Sequence, residues 1–348
     1  MKRAFMYSGC VLTAFAAIPV TCFASTWTVT TTGSGGQCTA DSTNDANCTL
    51  DAAIADAGAG DTIHFSAAVQ GGSIPISGNS PLVNGITIDA SPGGVTLDGG
   101  GTSQILYFSS GTFTVSHLVL KNGLGSNSGG AIYNVGADIT IDSCTFESNT
   151  ATSFGGAIFN GGGSLLLINS TLSGNTAGVE GGAVAGFGGN LVIASSTFTG
   201  NSAGTRGGAV YATGLSVTSS IIAGNTTTGG SKPDISSFGG PGSLGYNVIG
   251  NADNSNLAPA SGDQFGSAAS SIDPLFETTN AVNNGGATPT FALKSASPAR
   301  RGGNCTGEPT STPPVPALTI DQRGIVRSAP CTAGAFDMTD IFEDGFEN

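Results

Sequence analysis

The chain has 348 residues, with a net charge of −13 and charged residues making up only 9% of it. Phosphate binding needs a basic face, so this balance argues against nucleic acid as a partner. The 56 glycines would suit a disordered chain, but the hydrophobic 39% recurs at a fixed period, which favours a folded, repetitive protein.

The N-terminus has the features of a secretory signal over residues 1–24. Lys2 and Arg3 supply the basic region, residues 11–20 are apolar, and Cys22-Phe23-Ala24 resembles a cleavage site before Ser25. The apolar run is too short to span a bilayer, so we do not expect an integral membrane protein. Cleavage leaves 8 basic and 23 acidic residues, a net charge of −15.

Residues 25–60 are predicted to cover the N-terminal end of the fold. A Thr-rich strand at residues 26–32 precedes a short helix, which Thr49 caps and which runs through Ala57 before Gly58. Residues 60–65 then read as the first strand of the main body. A stack of strands exposes unpaired edges at its end, which explains why a cover is expected there.

Two motifs recur at one spacing through the middle of the chain. A Gly-Gly-Ala motif starts four times at intervals of 26 residues, and an asparagine keeps step with it until a last interval of 24. The motifs start at Gly129, Gly155, Gly181 and Gly207, and the asparagines are Asn149, Asn175, Asn201 and Asn225. A constant period indicates one structural unit stacked on itself.

Between these motifs the apolar residues alternate, as in Ile139-Thr-Ile141 and Leu165-Leu-Leu167. This is strand periodicity, and each unit holds about three short strands that gain stability only by stacking on the next unit. We therefore predict an all-β chain, a right-handed parallel β-helix of about 26 residues per coil, spanning residues 61–250. Stacked asparagines would form a hydrogen-bonded ladder and take the left-handed corner conformation, with the glycine pairs at further corners.

Residues 251–340 lose the period and are predicted to form a C-terminal cap, with an acidic tail at residues 341–348. Within the cap, Asp321, Arg323 and Arg327 are predicted to form a buried ion network. Beyond the signal, Cys38–Cys48 and Cys305–Cys331 are the predicted disulfides, one near each end of the mature chain. Cys144 occupies an inward position held by Ser in later coils and is expected to be buried and inert.

An enzyme on this fold would need converging charged side chains, and few are available. A lyase needs a cation, and the solenoid offers only Lys121, Arg206 and Lys232. An inverting glycosidase needs carboxylates about 6.5–9.5 Å apart. Asp89 and Asp98 are the best carboxylate pair, although a turn role is favoured for both, so they are weak catalytic candidates.

The two histidines are assigned to structural positions. His117 aligns with turn residues of the following coils, and His64 lies in the first strand, facing outward. We expect no cofactor and no metal site. Calcium at stacked Asp and Asn corners is the one alternative, without an EF-hand or nonapeptide signature to support it.

Several segments resemble known bacterial families. The Gly-Gly-Ala-Ile/Val and Phe-x-x-Asn motifs are similar to bacterial polymorphic outer-membrane protein repeats, as in Phe146-Glu-Ser-Asn149. Residues 36–66 resemble the CSLREA segment of secreted β-helix proteins, but Asp51 and Ala52 replace the usual Arg and Glu. Residues 271–337 resemble the choice-of-anchor Q module, with DQRG at Asp321–Gly324 and departures at Arg300 and Arg301. The IFEDGFEN ending resembles a tag on secreted gammaproteobacterial proteins.

These resemblances imply export and a surface role more than an activity. The leading hypothesis is an adhesin-like protein, secreted or on the outer surface of a Gram-negative bacterium, that binds carbohydrate or protein partners without catalysis. The alternatives are a polysaccharide lyase or glycoside hydrolase of the pectate lyase-like type, and a structural envelope protein. Whether the chain is an enzyme is left uncertain, with binding preferred.

Overall fold

The computed structural model describes residues 24–43, 45–78, 82, 84–229, 234–300, 302–309, 311–327, 329 and 331–337. The predicted signal segment before Ala24, the acidic tail and Lys232 lie outside the described residues. The chain winds into a parallel β-solenoid of about 7 turns with about 26 residues per turn. The predicted fold class is confirmed.

Each coil contributes short strands to parallel sheets that run the length of the solenoid, and the chain visits them in the order I, II, III, IV. Sheet I consists of Thr26–Val29, Thr62–Phe65, Thr87–Asp89, Thr112–Ser116, Asp138–Asp142, Leu165–Ile168, Leu191–Ala194, Leu215–Thr218 and Gly242–Gly245. Sheet II consists of Ser73–Pro75, Val95–Asp98, Leu118–Lys121, Thr145–Glu147, Thr171–Ser173, Thr197–Thr199, Ile221–Ile222, Val248–Ile249 and Gln264–Phe265. Sheet III consists of Leu124–Gly125, Thr150–Ala151, Thr176–Ala177, Ser202–Ala203 and Thr226–Thr227. Sheet IV consists of Leu106–Phe108, Ile132–Asn134, Ile158–Asn160, Val184–Gly186, Val210–Ala212 and Ile235–Ser237.

The 26-residue period of the sequence equals the spacing between paired residues in strands of successive coils. Ile139 pairs with Leu165 and Leu165 with Leu191 in sheet I, so residues 26 apart lie directly above one another. These side chains are at most 2% exposed, and alternate residues of each strand point into a single core running along the axis. Every apolar rung therefore buries the rungs above and below it, which is why no coil folds alone.

The N-terminal segment adds the first rung of sheet I, because Thr26–Val29 pairs in register with Thr62–Phe65. The helix Leu50–Asp56 follows, near the predicted bounds, and the predicted disulfide joins Cys38 to Cys48. Thr49 is the N-cap residue but makes no capping hydrogen bond, contrary to prediction. Its hydroxyl instead accepts a bond from the backbone N–H of Gly36 at 3.1 Å.

The backbone conformation at the asparagine corner differs from the prediction. The left-handed residue at the ladder corner is the one before each asparagine, as at Ser148 with φ 56° before Asn149. Asn149 itself is fully buried, because its side chain is needed inside the coil. The glycine pairs have both expected uses: Gly155 has φ 61°, and a Cβ on Gly156 would collide with the carbonyl oxygen of Gly182.

Residues 284–337, which we call the overlay, fold back along the outside of the solenoid. Gln322 is 1% exposed, and its Nε2 donates to Thr145 Oγ1 at 2.9 Å, while its Oε1 accepts from Thr171 Oγ1 at 2.6 Å. Val315 and Leu318 pack on the outer face of sheet I, in a cluster with Leu166, Ile168, Val192 and Ala194. The overlay thus lies on sheets I and II, and sheets III and IV form the remaining faces.

Candidate functional site

A column of aromatic rings runs along the outer face of sheet IV. The middle residues of successive strands pair in register, and they are Tyr107, Tyr133, Phe159, Ala185, Tyr211 and Ser236. Where the column holds Ala185 and Ser236, Phe187 and Phe238 of the same coils supply the ring. We call these six rings the aromatic stripe: Tyr107, Tyr133, Phe159, Phe187, Tyr211 and Phe238.

Ring centroids along the stripe are 5.2–5.7 Å apart. Five coil steps of about 4.8 Å give it a length of about 24 Å. Phe187 and Phe238 are 38% and 41% exposed, Val135 beside them is 38% exposed, and the other rings are half-buried. A continuous apolar surface of this kind on a protein surface marks an interaction site more often than isolated exposed residues do.

The charges next to the stripe neutralise each other. Glu180 and Arg206 occupy neighbouring rungs just before their Gly-Gly-Ala motifs, and their side chains are 4.0 Å apart. The Arg206 guanidinium also lies 5.8 Å from the ring centroid of Phe238. Burial raises the pKa of the Glu180 carboxyl, and Arg206 acts in the opposite direction. In a chain with a net charge of −13, the stripe is therefore a locally neutral, apolar face.

Asp89 is the centre of a polar cluster on sheet I. Its Oδ1 lies 2.8 Å from His117 Nδ1 and accepts from Ser116 Oγ at 2.8 Å, while Oδ2 accepts from Ser91 Oγ at 2.7 Å. Nδ1 of His64, on the preceding rung, lies 3.8 Å from Oδ2. Burial alone would raise the pKa of Asp89, but the bonds from His117, Ser91 and Ser116 hold it far below its ordinary value.

Asp98 lies at the end of a sheet II strand and belongs to a separate group. Its Oδ1 accepts from Asn122 Nδ2 at 3.0 Å and from the backbone N–H of Gly100 at 2.9 Å, and Lys121 Nζ lies 3.7 Å from Oδ2. Burial raises the pKa of Asp98, but these partners lower it by more. Asp98 therefore has the contacts of a residue that stabilises a turn of the solenoid through hydrogen bonds.

The two carboxylates belong to different sheets and have different partners. Asp89 ends a strand of sheet I and Asp98 ends the following strand of sheet II, so a strand and a turn separate them. Asp89 meets His117 and Asp98 meets Lys121, as two independent pairs. Arg206 lies at the stripe, far along the sequence from both. Among the described residues, each carboxylate is therefore held by its own set of hydrogen-bonding partners.

The asparagine ladder is continuous and ends on a carboxylate. Asn149 Nδ2 donates to Asn175 Oδ1 at 2.9 Å, and the same bond recurs at 2.9 Å from Asn175 to Asn201 and at 2.8 Å from Asn201 to Asn225. Asn225 then donates from both N and Nδ2 to Asp234 Oδ1, each at 2.8 Å. Burial raises the pKa of Asp234 to about 6, against the lowering effect of the bonds from Asn225 and Asn251.

In the overlay, Asp321 and Arg323 form a close pair, with Arg323 NH2 2.6 Å from Asp321 Oδ2. Arg327 is 7% exposed and donates to Asn169 Oδ1 at 3.0 Å and to the carbonyl oxygen of Gly334 at 3.0 Å. Burial lowers the pKa of Arg327, while Asp337 and Asp321 oppose that shift. Arg327 thus attaches the overlay to the solenoid, whereas Asp321 and Arg323 form contacts within the overlay.

Four of the described cysteines form disulfides, and the fifth is buried. Cys305 and Cys331 are joined as predicted, within the overlay. Cys144 is free and fully buried, and burial raises the pKa of its thiol well above the ordinary value. A thiol in this state is not nucleophilic at neutral pH.

A cavity of about 520 Å³ lies between the N-terminal helix and the first coils. Its wall is mainly aliphatic, with Asp51 and Asn84 among the few polar side chains. Over the described part of the chain, no group of three or more His, Cys, Asp or Glu side chains is placed to hold a metal ion. No helix in that part is long and apolar enough to cross a bilayer.

Sequence reasoning missed the stripe and Asp234. The stripe had a visible signal, because the fifth residue of each Gly-Gly-Ala motif is Tyr133, Phe159, Ala185 or Tyr211. Only the register shows that Phe187 fills the gap at Ala185. Asp234 had no periodic signal, since it follows Asn225 by nine residues instead of a full coil.

Comparison with known proteins gives one partial match. Residues 143–161 and 195–213 match the Chlamydia polymorphic membrane protein repeat. Each segment runs from the turn before a sheet II strand through the next strand of sheet IV, and so contains the ladder asparagine and the Gly-Gly-Ala motif. No curated protein and no solved structure matches the chain. The chain is therefore similar to polymorphic membrane protein repeats over two coils, which points to a bacterial surface or outer-membrane protein.

Proposed function

We propose that this protein is an adhesin-like β-helix of the bacterial cell surface, which binds a carbohydrate or protein partner through the aromatic stripe without catalysis. The stripe carries the proposal, because it places six rings on a face that the overlay leaves open. Aromatic residues and Arg206 at the rim are typical of binding surfaces, whose cores are depleted in charge.

Location outside the cytoplasm is supported by two independent features. Disulfides such as Cys38–Cys48 persist in oxidising compartments. The repeat similarity comes from a family of membrane-associated bacterial proteins. We propose export through the signal at residues 1–24 to the outer surface of a Gram-negative cell. Residues 36–66 and 271–337 would be its CSLREA-like and choice-of-anchor Q-like modules, the second of which includes the whole overlay.

A specific observation supports a hydrolase or lyase as the second candidate. The Asp89 carboxylate lies 2.8 Å from Nδ1 of His117, and a carboxylate at this nitrogen is the way a general base is oriented. Asp98 belongs to a separate group with Asn122 and Lys121, so we prefer binding to catalysis. Release of reducing ends or unsaturated sugars from acidic polysaccharides, lost in His117→Ala, would establish the second candidate instead.

The experiment for the leading proposal uses beads coated with the full purified chain. They are applied to the producing bacterium, to matrix proteins and to neutral and acidic polysaccharides. The variant is the triple change Tyr133→Ala, Phe159→Ala and Tyr211→Ala, which copies the Ala185 already present in the same column. The matched control removes exposed hydroxyls of sheet III, through Thr150→Ala, Thr176→Ala and Thr226→Ala.

We expect the wild type and the sheet III control to bind at least one surface equally. The stripe variant should lose about 90% of that binding, since central aromatic residues dominate most interfaces. Equal binding by all three proteins, or binding to none of the surfaces, would refute the proposal.

A further inference from the structure

The cavity at the N-terminal end of the solenoid lies where the stacking of strands is incomplete. In sheet IV the first strand, Leu106–Phe108, pairs with Ile132–Asn134 on one side, and on the other side Leu82 pairs with Phe108 as an isolated bridge. The helix Leu50–Asp56 covers this end, and a space of about 520 Å³ remains between it and the first strands of sheets II and IV. Side chains that a further rung would cover in a middle coil therefore face the cavity.

The wall of the cavity is mainly hydrocarbon. Its deeper part is formed by branched aliphatic side chains that are each at most 5% exposed, and these are Leu50, Ile74, Leu82, Ile86, Ile105 and Leu106. Half-buried Ile54 and Ile76 also line it. Water in such a space finds few hydrogen-bonding partners, whereas an apolar molecule would cover Ile54 and Ile76 and pack on the deeper side chains. The wall therefore favours a hydrocarbon ligand over a sugar.

The size of the cavity suits a small molecule. Its volume of about 520 Å³ falls within the range of ~300–1,000 Å³ that is usual for ligand sites. An apolar cavity of ~150 Å³ holds one benzene molecule, so this space has room for a ligand on the order of 10–20 carbon atoms. A single alkyl chain has that size.

The entrance of the cavity carries a negative charge. Among the described residues that line the cavity, Asp51 is the one with an ionisable side chain, and it is exposed. Its Oδ2 accepts from the backbone N–H of Gly35 at 3.0 Å. Burial raises the pKa of Asp51, but hydrogen bonds from Thr49 and Gly35 lower it by more, so the carboxylate is charged at neutral pH. A carboxylate here attracts a cation and repels another carboxylate.

We propose that this cavity binds a single-chain amphiphile with a cationic head, whose alkyl chain lies against the aliphatic wall and whose head lies at Asp51. The net charge of −13 favours a ligand of the same sign. The six rings of the stripe are not among the described residues that line the cavity, so this inference goes beyond the proposed function and does not depend on it.

The test measures binding of N-phenyl-1-naphthylamine, a neutral apolar dye that fluoresces in apolar surroundings, to the full purified chain. Decylamine and decanoate, which share a chain length and differ in the charge of the head, then compete with the dye at pH 7 below the concentrations at which they form micelles. Ala55→Trp adds bulk at a helix position that lines the cavity, and Ala59→Trp adds the same ring at an exposed position outside the described lining. Asp51→Asn removes the charge at nearly constant shape, and circular dichroism confirms that each variant is folded.

We expect the wild type, Ala59→Trp and Asp51→Asn to bind the dye equally, and Ala55→Trp to bind it roughly tenfold or more weakly. Decylamine should displace the dye from the wild type at roughly one fifth or less of the concentration that decanoate needs, and Asp51→Asn should lose this difference. If the wild type does not bind the dye, or if Ala55→Trp binds it as the wild type does, the cavity is not a ligand site. Equal displacement by decylamine and decanoate, or a preference that persists in Asp51→Asn, would overturn the cationic head and with it the inference.

Discussion

The side-chain amide of Asn225 donates to Oδ1 of Asp234 at 2.8 Å, so a buried carboxylate closes the asparagine ladder. The other oxygen, Oδ2, accepts the backbone N–H of Asn251 at 2.6 Å. An asparagine in place of Asp234 could offer an acceptor at only one of these positions. The last rung therefore ends on a carboxyl group, which titrates, where the earlier rungs end on amides.

The first prediction concerns pH. The pKa of Asp234 is raised in the folded protein to about 6 from an ordinary value of 3.8. Its stabilising contribution is therefore complete below about pH 4 and is lost as pH rises through about 6, by roughly 3 kcal/mol in total. In Asp234→Asn this pH dependence should disappear. Urea unfolding between pH 4 and pH 7.5 measures it, and an unchanged pH profile in the variant would contradict the assignment.

The interior of the ladder gives a second prediction. Asn175→Ala leaves the N–H groups of Asn149 and the carbonyl oxygen of Phe146 without their partner, in a site that is 0% exposed. We expect a loss of about 3 kcal/mol or more in the free energy of unfolding, as several buried polar groups are orphaned. Asn190→Ala, at an exposed position, should change it by less than about 0.5 kcal/mol. Similar losses in both variants would show that the ladder has no special role.

The repeat made the solenoid predictable from the sequence. Residues 26 apart, such as Ile139 and Leu165, lie in register because stacking converts sequence period directly into spatial order. The same logic located the buried Cys144 and the Asn149 ladder. The period did not identify which residue has the left-handed conformation at the ladder corner. The left-handed residue and the ladder asparagine are adjacent, and both recur at the same period, so the period fits either of them.

The unpredicted parts are those without a period. The path of the overlay depends on tertiary contacts such as Gln322 with Thr145 and Thr171, residues more than 150 positions away that no spacing rule connects. The pairing of Asp89 with His117 depends on an early pair of coils whose register, Thr87 with Thr114, is offset by 27 residues. Contacts in irregular coils therefore cannot be predicted from the 26-residue period, whereas contacts in regular coils can.

A third prediction follows from the Asp89 cluster. Because the pKa of Asp89 is lowered from 3.8, its contribution is present above about pH 4 and is lost as pH falls below that value. Asp89→Asn should be less stable than the wild type at pH 7 and should lose less stability on acidification. Asp56→Asn, on an exposed helix residue, is the matched control. Melting temperatures at pH 7, 4 and 3 measure the difference, and parallel acid profiles for all three proteins would contradict the cluster's role.

A fourth prediction concerns the overlay. Gln322→Ala removes bonds to Thr145, Thr171 and Thr288 at a buried position and should lower the free energy of unfolding by about 2–3 kcal/mol. It should also make residues 284–337 more susceptible to limited proteolysis, while exposed Gln37→Ala should behave as the wild type. Cleavage at wild-type rates in the Gln322 variant would mean that other contacts hold the overlay.

The most direct test of the account places a photo-reactive phenylalanine analogue at Phe159, in the stripe, or at Thr176, on sheet III. Each protein is illuminated while bound to the surface identified by the coated beads. We predict a covalent adduct with the partner from position 159 and little or none from position 176. Adducts from position 176 alone, or from both positions equally, would contradict binding through sheet IV.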